Sequence, residues 1–164
     1  MKNIIAIRHA ETARPSIGMK DEDRSLTDRG EQEAEVMAAL LKYSGLVPDL
    51  VVCSHARRAI QTAWIFADRL QCNRVKVDPR LYLRGTQKML VGLTELEESS
   101  SRIILVGHNP DITGFVNALC AETAADFPTC TVASMTFPVQ TWAETGEGTG
   151  VLTFNIYPEM FKLP

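Results

Sequence analysis

The stretch Ile4-Ile5-Ala6-Ile7 is an uninterrupted apolar run that ends at the polar pair Arg8-His9. Two further runs, Leu50-Val51-Val52-Cys53 and Ile103-Ile104-Leu105-Val106, have the same length and character, and Val75-Lys76-Val77 is a shorter, weaker one. Apolar runs without polar alternation are typical of strands that are covered on both faces in a parallel sheet. The sequence therefore predicts that such a sheet forms the centre of the fold.

Segments with helical periodicity follow these runs. Their apolar residues recur every three or four positions, as on one face of a helix. The four sets are Ala34, Met37, Ala38 and Leu41; Ala59, Ile60, Ala63, Ala67 and Leu70; Met89, Leu93 and Leu96; and Ile112, Phe115, Val116 and Leu119. The first helix should end at Gly45, because glycine readily adopts the left-handed conformation that terminates helices. The alternation of strand and helix predicts a three-layer α/β/α fold with right-handed crossovers.

The last part of the chain has a different pattern. Thr131–Phe137 and Val151–Tyr157 alternate apolar and polar residues and flank a glycine-rich loop. This pattern predicts two late strands, which would add an antiparallel edge to the mostly parallel sheet. A long loop, residues 13–25, leaves the first strand and is of the kind that borders binding sites. No repeat or linker interrupts the chain, so we expect one domain that spans residues 1–164.

With 45% hydrophobic and 23% charged residues, the chain of 164 residues has the composition of an ordinary globular protein. Seventeen Lys and Arg against twenty Asp and Glu give a net charge of −3, which argues against binding to nucleic acid or membranes through a positive field. The amino-terminal apolar run is too short for a signal peptide or a membrane span, so we expect a cytoplasmic protein. The four cysteines lack disulfide-framework spacing and should be free buried thiols.

All three histidines of the chain lie just after the ends of predicted strands. They stand in Arg8-His9-Ala10-Glu11, in Ser54-His55-Ala56-Arg57-Arg58 and in Gly107-His108-Asn109-Pro110. Ligands of open α/β sheets bind beyond the carboxyl ends of the strands, where these segments should meet. Arg8 and Arg58 would supply planar guanidinium groups that match phosphoryl oxygens, and a histidine would supply a nucleophile or a proton. The ligand implied is a phosphate or a carboxylate.

The segment around His108 suggests a second contribution to anion binding. Asn109 is a good N-cap residue, and Pro110 suits the first position of a helix. The free N–H groups of that helix would then attract an anion next to His108.

Motifs for other kinds of phosphate or metal site do not occur. No glycine-rich phosphate loop of the P-loop or dinucleotide type follows a predicted strand. The histidines and thiols lack zinc-ligand spacing, and the nearby arginines would repel a divalent ion. We therefore expect no metal and no other cofactor.

Four segments in chain order resemble the motifs of a known enzyme family. They are residues 8–11 for R-H-G-E, residues 23–30 for D-x-R-P-L-T-x-x-G, residues 54–63 for S-x-x-x-R-A-x-Q-T-A and residues 106–110 for V-G-H-x-P. With these motifs the chain resembles the histidine phosphatase superfamily, which shares the phosphoglycerate-mutase fold, over residues 4–138. Its short length is similar to that of the SixA-type phosphohistidine phosphatases.

The resemblance implies catalytic roles for four residues. His9 would be the nucleophile that attacks phosphorus and becomes a transient phosphohistidine. Arg8, Arg58 and His108 would hold the phosphoryl oxygens. Phosphoryl transfer asks a protein mainly to position the nucleophile in line and to stabilise charge on the equatorial oxygens, which this set of residues can do.

Further candidates for substrate contact surround these four residues. They are Ser54, Asn109 and Glu11. Glu11 could equally orient Arg8 or form a salt bridge within its loop. Only one of the adjacent Arg57 and Arg58 can point at the phosphate, and the superfamily spacing favours Arg58. His55 has no counterpart among the superfamily's catalytic residues and is interpreted as a rim or capping residue.

Two departures from the superfamily pattern bear on the chemistry. Ala10 replaces a glycine beside the nucleophile, as in the short branch. Ester-cleaving members carry a glutamate proton donor after the third strand, whereas residues 78–87 offer only Asp78; Asp111 or Asp23 could serve instead. An alkoxide leaves poorly without an acid, which contributes about 10²–10⁴ in rate. The imidazole of phosphohistidine needs less help, because solvent can protonate its remote nitrogen.

The sequence therefore predicts a phosphatase that acts on the phosphohistidine of a protein, such as a phosphotransfer domain or a phosphocarrier. A phosphatase of small phosphate esters or anhydrides is one alternative. A non-catalytic phosphate-binding module is another, although binding alone would need only the arginines and not His9 and His108.

Overall fold

A computed structural model of the chain describes residues 1–122 and 124–161. Thr123 and residues 162–164, which belong to the expected single domain, lie outside the described residues. The strands are β1 (Lys2–Arg8), β2 (Leu50–Cys53), β3 (Val75–Val77), β4 (Arg102–Gly107), β5 (Val132–Phe137) and β6 (Val151–Ile156). The helices are α1 (Asp28–Tyr43), α2 (Arg57–Arg69), α3 (Thr86–Leu93) and α4 (Asp111–Cys120). Short 3-10 turns lie at Asp21–Asp23, Pro79–Leu81, Trp142–Glu144 and Pro158–Phe161.

The six strands form one mixed sheet in the order β3-β2-β4-β1-β5-β6. The first four strands of this order are parallel to one another, as their apolar runs predict. Strand β5 pairs antiparallel with β1 on one side and with β6 on the other. The predicted antiparallel edge is therefore confirmed, and it continues the parallel sheet directly beside its first strand.

Alternate residues of β1 point to opposite faces of the sheet and into two separate cores. Ile5 and Ile7 pack with Phe66 in the core under α1 and α2. Ile4 packs with Phe115 in the core under α3 and α4. All five side chains are fully buried, and such burial of one large apolar side chain contributes about 1.5–3 kcal/mol. The predicted three-layer α/β/α architecture is thereby confirmed.

Helix α1 is capped at its start by a side chain and ends before Gly45, as the sequence predicts for its end. Thr27 is its N-cap: the Thr27 hydroxyl accepts the Gly30 N–H at 3.0 Å and donates to the Glu11 carboxylate at 2.8 Å. A Cβ on Gly30 would lie 2.2 Å from the Glu11 carbonyl oxygen, so only glycine allows this approach. At the other end Gly45, with φ of +76°, terminates the helix in the left-handed conformation. The start of α1 is thus tied to the segment that follows β1.

The carboxyl ends of β1, β2 and β4 lie side by side. The register pairs Arg8 with Gly107 and Cys53 with Val106. Just beyond these pairs, the backbone N–H of His9 donates to Gly107 and that of Ser54 donates to Val106, each at 3.1 Å. The three segments that carry the histidines therefore start at one edge of the sheet.

The long loop after β1 is closed at its base. Thr12 and Leu26 form an isolated antiparallel bridge, and the 3-10 turn Asp21–Asp23 lies inside the loop between them. The Arg24 side chain fastens the loop internally: Nε donates to the Ala13 carbonyl at 3.1 Å and Nη2 donates to the Thr12 hydroxyl at 2.6 Å. This loop reaches the edge of the sheet where the histidines lie.

The four cysteines are free thiols: Cys53, Cys72 and Cys130 are buried and Cys120 is half-buried. Within residues 1–122 and 124–161, none of the helices has the length and apolar character needed to cross a membrane.

Candidate active site

His9 lies at the floor of the site, directly after β1, and is 8% exposed. Its Nδ1 lies 2.8 Å from the Ala10 carbonyl oxygen, which can only accept, so Nδ1 carries the proton. Nε2 is then left with a lone pair. The Nε–H of Arg58 donates to this Nε2 at 3.3 Å. The ring therefore presents a nucleophilic nitrogen beside a guanidinium group.

The surroundings of His9 keep its ring neutral. Burial is the main cause that lowers the pKa of His9 to about 4; the hydrogen bond to the Ala10 carbonyl opposes this decrease, and the positive charges of Arg58 and Arg8 contribute to it. At neutral pH the imidazole is the free base, because its pKa lies well below 7. A free-base imidazole is the form that can attack phosphorus.

Arg58 lies in the first turn of α2 and is 4% exposed, whereas its neighbour Arg57 faces solvent. A guanidinium has five N–H groups. One Arg58 N–H contacts His9, and two others donate to Asp21, from Nη1 to the backbone oxygen at 2.7 Å and from Nη2 to the carboxylate at 2.9 Å. Two N–H groups, one on each terminal nitrogen, remain for an anion.

His108 follows β4 and is 2% exposed. The centroid of its ring lies 5.0 Å from that of His9, and its Nε2 lies 2.5 Å from the Ser54 hydroxyl oxygen. Burial, with smaller contributions from the neighbouring His9 and Arg58, lowers the pKa of His108 to about 3. The Ser54 hydroxyl therefore forms a hydrogen bond with His108. The His108 ring is uncharged at neutral pH, because its pKa lies well below 7.

Arg8 is the last residue of β1 and directly precedes His9. Its Nη1 donates to the carbonyl of Phe127 at 2.6 Å. Burial lowers the pKa of Arg8 and the nearby Asp126 opposes this shift, while Arg58 lowers the pKa by like charge. Arg8 precedes His9 in the chain and Arg58 contacts the His9 ring, so both cations belong to the surroundings of the nucleophile.

The expected helix cap at Asn109 is wrong. Helix α4 begins at Asp111 with Pro110 as its N-cap and no side-chain cap. The Asn109 carboxamide instead donates to the Phe127 carbonyl at 2.9 Å and accepts from the Thr113 hydroxyl at 2.7 Å. The Thr113 hydroxyl thus occupies the oxygen that would have capped the helix, and the NH2 group fixes the same Phe127 carbonyl that Arg8 contacts.

Glu11 and His55 lie at the margins of the site. The Glu11 carboxylate accepts from Thr27, at the start of α1. The Nε2 of His55 lies 3.3 Å from a carboxylate oxygen of Glu22, and its ring packs edge-on against Tyr82 at 4.7 Å between centroids. His55 thus lies at the rim of the site, and Glu11 helps to fix the start of α1.

The sequence offers three carboxylates as proton donors: Asp78, Asp111 and Asp23. The Asp78 carboxylate makes three contacts with Arg80 Nε and Nη2 at 2.7–3.1 Å. The Asp111 carboxylate accepts the Gly85 N–H at 2.8 Å. Asp23 is exposed on the 3-10 turn. These contacts hold Asp78 and Asp111 in roles that stabilise the fold.

Asp21 is the acidic residue that the structure brings to the site and that sequence reasoning missed. Its carboxylate accepts from Tyr82 at 2.7 Å, from Arg58 at 2.9 Å and from Arg24 at 3.0 Å. Partial burial opposes ionisation, but the hydrogen bonds from Tyr82, Arg24 and Arg58 outweigh it and hold the pKa of Asp21 below its usual range. Asp21 is therefore an anion at neutral pH. The spacing of Asp21 and Arg24, three residues apart as on one helical turn, is the sequence signal that could have indicated their ion pair.

Two motif residues of α2 support the site from behind. The Thr62 hydroxyl accepts the N–H of Ala10 at 3.1 Å and donates to the Arg58 carbonyl at 2.8 Å. The Gln61 side chain accepts the N–H of Leu26 at 2.9 Å. The backbone next to the nucleophile is thus fixed to the helix that carries Arg58.

Buried polar atoms without a partner collect at this site. Counting only residues 1–122 and 124–161, four buried side-chain nitrogen or oxygen atoms lack a hydrogen bond, and three of them are Arg8 Nε, His55 Nδ1 and His108 Nδ1. Buried polar groups in proteins are otherwise almost always paired. Such donors beside two guanidinium groups suit an anion with several oxygens. The described residues hold no group of three or more His, Cys, Asp or Glu placed to bind a metal ion.

The shape of the surface would not by itself identify this site. A groove of about 970 Å³ lies between α1 and α2, where Trp64 and Gln61 are among the residues that line it. None of Arg8, His9, Arg58 and His108 lines that groove. The chemistry of the side chains, and not the size of the cavity, therefore locates the candidate site.

With the geometry established, sequence comparison identifies the family. Residues 4–102 match the model of the histidine phosphatase superfamily (branch 1), so the chain belongs to this superfamily. An uncharacterised protein of Mycobacterium tuberculosis (strain CDC 1551 / Oshkosh) is 28% identical over 132 residues, which cover 80% of this chain and 81% of the relative.

Solved structures agree with this assignment. The protein histidine phosphatase SixA complexed with tungstate superposes with a TM-score of 0.84 at 26% identity, covering 97% of this chain and 99% of SixA. The mycobacterial glucosyl-3-phosphoglycerate phosphatase complexed with VO3 superposes with a TM-score of 0.70 at 17% identity, covering 94% and 98%, and shows the shared fold. Together the comparisons support a histidine-based phosphatase activity, and the resemblance to SixA-type proteins is confirmed.

Proposed function

We propose that this protein hydrolyses the phosphohistidine of a partner protein, with His9 as the nucleophile. The observation that carries the proposal is the state of His9. Its Nδ1 proton is held by the Ala10 carbonyl, and its Nε2 lone pair lies beside Arg58 in a ring whose pKa is lowered by burial to about 4. A site that only bound phosphate would gain nothing from such a neutral, oriented imidazole.

In the first step the Nε2 lone pair of His9 forms a bond to phosphorus. The bond from phosphorus to the substrate's imidazole nitrogen breaks, and its electron pair stays on that nitrogen. Arg8 and Arg58 stabilise the charge on the equatorial oxygens throughout the transfer. The phosphoryl group raises the pKa of His108 toward its ordinary value through its negative charge, so His108 can donate an N–H.

In the second step water attacks phosphorus on His9 and a phosphoryl oxygen takes up the water proton. The electron pair of the breaking P–N bond returns to Nε2. The Ala10 carbonyl keeps the Nδ1 proton in place during both steps, so the ring returns to its starting tautomer. Inorganic phosphate is the product.

The acidic residues favour a phosphoramidate over an ester as substrate. Asp78 is bound to Arg80, and Asp21 is held as an anion by Tyr82, Arg24 and Arg58. An ester needs an acid to protonate its alkoxide, a contribution of about 10²–10⁴ in rate. A phosphohistidine ring leaves as neutral imidazole once its remote nitrogen carries a proton from solvent. The similarity to the protein histidine phosphatase SixA supports the same choice.

The partner that fits this chemistry is a protein that carries phosphohistidine, such as a phosphotransfer domain or a phosphocarrier of the cytoplasm. The net charge of −3 gives no general attraction for anions, so the phosphoryl group has to be recognised at the site itself. Arg8 and Arg58 provide that local recognition.

The test compares the wild-type protein with His9→Ala on a phosphocarrier labelled at its histidine, with release of inorganic phosphate as the readout. We expect the wild type to release phosphate and His9→Ala to lose nearly all of this activity. A quench at alkaline pH, where phosphohistidine survives, should trap label on the wild type alone. Equal rates in the two proteins would overturn the proposal. Faster turnover of p-nitrophenyl phosphate or sugar phosphates would indicate an ester phosphatase, and no turnover of any substrate would indicate a binding module.

A further inference from the structure

Asp21 lies at the mouth of the site, above its buried floor. Its side chain is 47% exposed, while His9 and His108 below it are almost completely buried. Asp21 is connected to the nucleophile through a single side chain, since it accepts from Arg58 and Arg58 contacts Nε2 of His9. No role in phosphoryl binding follows for Asp21, because two anions in contact repel each other.

Aromatic rings line the wall next to Asp21. The Tyr82 hydroxyl donates to the Asp21 carboxylate, and the Tyr82 ring packs edge-on against His108 at 5.2 Å and against His55 at 4.7 Å between centroids. Burial and the charge of Asp21 raise the pKa of Tyr82, so its hydroxyl keeps its proton. The Tyr82 hydroxyl therefore holds the carboxylate in place beside the aromatic rings of His55 and His108.

The direction of the reaction places the leaving group at this mouth. In a phosphoryl transfer the attacking and leaving atoms lie on opposite sides of phosphorus. Nε2 of His9 faces Arg58, whose terminal nitrogens contact Asp21, so the leaving group opposite Nε2 lies on the more exposed side, with Asp21 and Tyr82. The leaving group therefore meets the carboxylate of Asp21, which Arg24 and Arg58 keep ionised.

We propose that Asp21, positioned by Tyr82, is the leaving-group subsite: its carboxylate accepts the N–H of the protonated imidazole ring of phosphohistidine. This inference rests on the proposed function and assigns the residue that selects the substrate class. The same carboxylate has no proton to give to a leaving phenolate or alkoxide, so it favours a leaving group that already carries an N–H.

The chemical step balances without a further reactant. Solvent protonates the remote nitrogen of the substrate ring, and Asp21 holds the resulting N–H⁺. When the P–N bond breaks, its electron pair neutralises the ring, which leaves as imidazole and keeps the remote proton. Asp21 stays ionised from beginning to end. Its function is to increase the fraction of bound substrate in the reactive protonated form.

The test measures kcat/KM of Asp21→Asn for two substrates, phosphoimidazole and p-nitrophenyl phosphate. Asp23→Asn is the matched control, because Asp23 is exposed on the same 3-10 turn and the change removes the same charge. Loss of one charge-assisted hydrogen bond should lower kcat/KM for phosphoimidazole by about tenfold to a hundredfold. The value for p-nitrophenyl phosphate should stay the same or rise. Asp23→Asn should change neither, and Tyr82→Phe should shift the ratio of the two values in the same direction as Asp21→Asn.

A parallel fall for both substrates in Asp21→Asn would overturn the inference, because it would show that Asp21 only holds Arg58 in place. An unchanged ratio of the two values would overturn it as well. Failure of the proposed function looks different: the wild type would then show no turnover of phosphoimidazole that depends on His9. The two failures are therefore read from different proteins, the Asp21 variant and the His9 variant.

Discussion

Replacing Arg58 by alanine should lower kcat for phosphate release by about 10²–10³, equivalent to about 2.7–4 kcal/mol, the usual effect of removing one preorganised donor. The structure supports this size because Arg58 is 4% exposed, contacts Nε2 of His9 and has two N–H groups left for phosphoryl oxygens. Arg57→Ala is the matched control, since Arg57 is the next residue of the same helical turn and faces solvent. It should retain the wild-type rate within about twofold, as surface changes do.

The assay is the initial rate of phosphate release at saturating phosphohistidine substrate, together with a thermal unfolding curve of each variant. Asp21, the ion-pair partner of Arg58, is half-exposed and can be hydrated in the variant, so the fold should persist. A second readout follows from the charge of Arg58, which lowers the pKa of His9. This pKa should rise in Arg58→Ala and stay unchanged in Arg57→Ala. A rate within tenfold of wild type in Arg58→Ala, or an equal loss in Arg57→Ala, would refute the reasoning.

Two other predictions concern protonation and folding. In the wild type an NMR titration should show the ring of His9 still neutral at pH 5 and protonated only as pH falls through about 4, because burial and Arg58 disfavour the cation; a midpoint near 6.5 would contradict this. Gly30→Ala should lower the free energy of unfolding, measured with urea, by about 1–3 kcal/mol, because its Cβ would overlap the Glu11 carbonyl oxygen at 2.2 Å. Gly146→Ala, where nothing lies within 4 Å, is the control and should change stability by less than about 0.5 kcal/mol.

The sheet and its layers could be predicted because their signals are local. A strand covered on both faces has to be apolar along its whole length, and Ile4-Ile5-Ala6-Ile7 shows this without reference to any other segment. The direction of a parallel sheet then brings the segments after β1, β2 and β4 to one edge. The meeting of His9, Arg58 and His108 follows from that geometry.

Contacts between distant segments could not be predicted in the same way. Asp21 contacts Arg58 and Tyr82, which lie 37 and 61 residues further along the chain. No periodicity constrains a loop, so its side-chain partners depend on where the fold carries it. The wrong cap at Asn109 has a partly local cause: its oxygen, which would accept a backbone N–H in a cap, accepts from the Thr113 hydroxyl, while its NH2 group donates to the Phe127 carbonyl 18 residues away.

Because Thr12 and Leu26 pair with each other, the loop between them could be replaced as one unit. Its two ends are already joined, so a replacement of different length would alter the closure entropy only slightly, by about 0.6 kcal/mol for each doubling. Such a graft would leave the position of His9 unchanged, since that residue is held by β4 and by Thr62 of α2 through Ala10. Selectivity can accordingly be redesigned through residues 13–25 as long as the new loop keeps a carboxylate at the position of Asp21, because that carboxylate contacts Arg58 of α2.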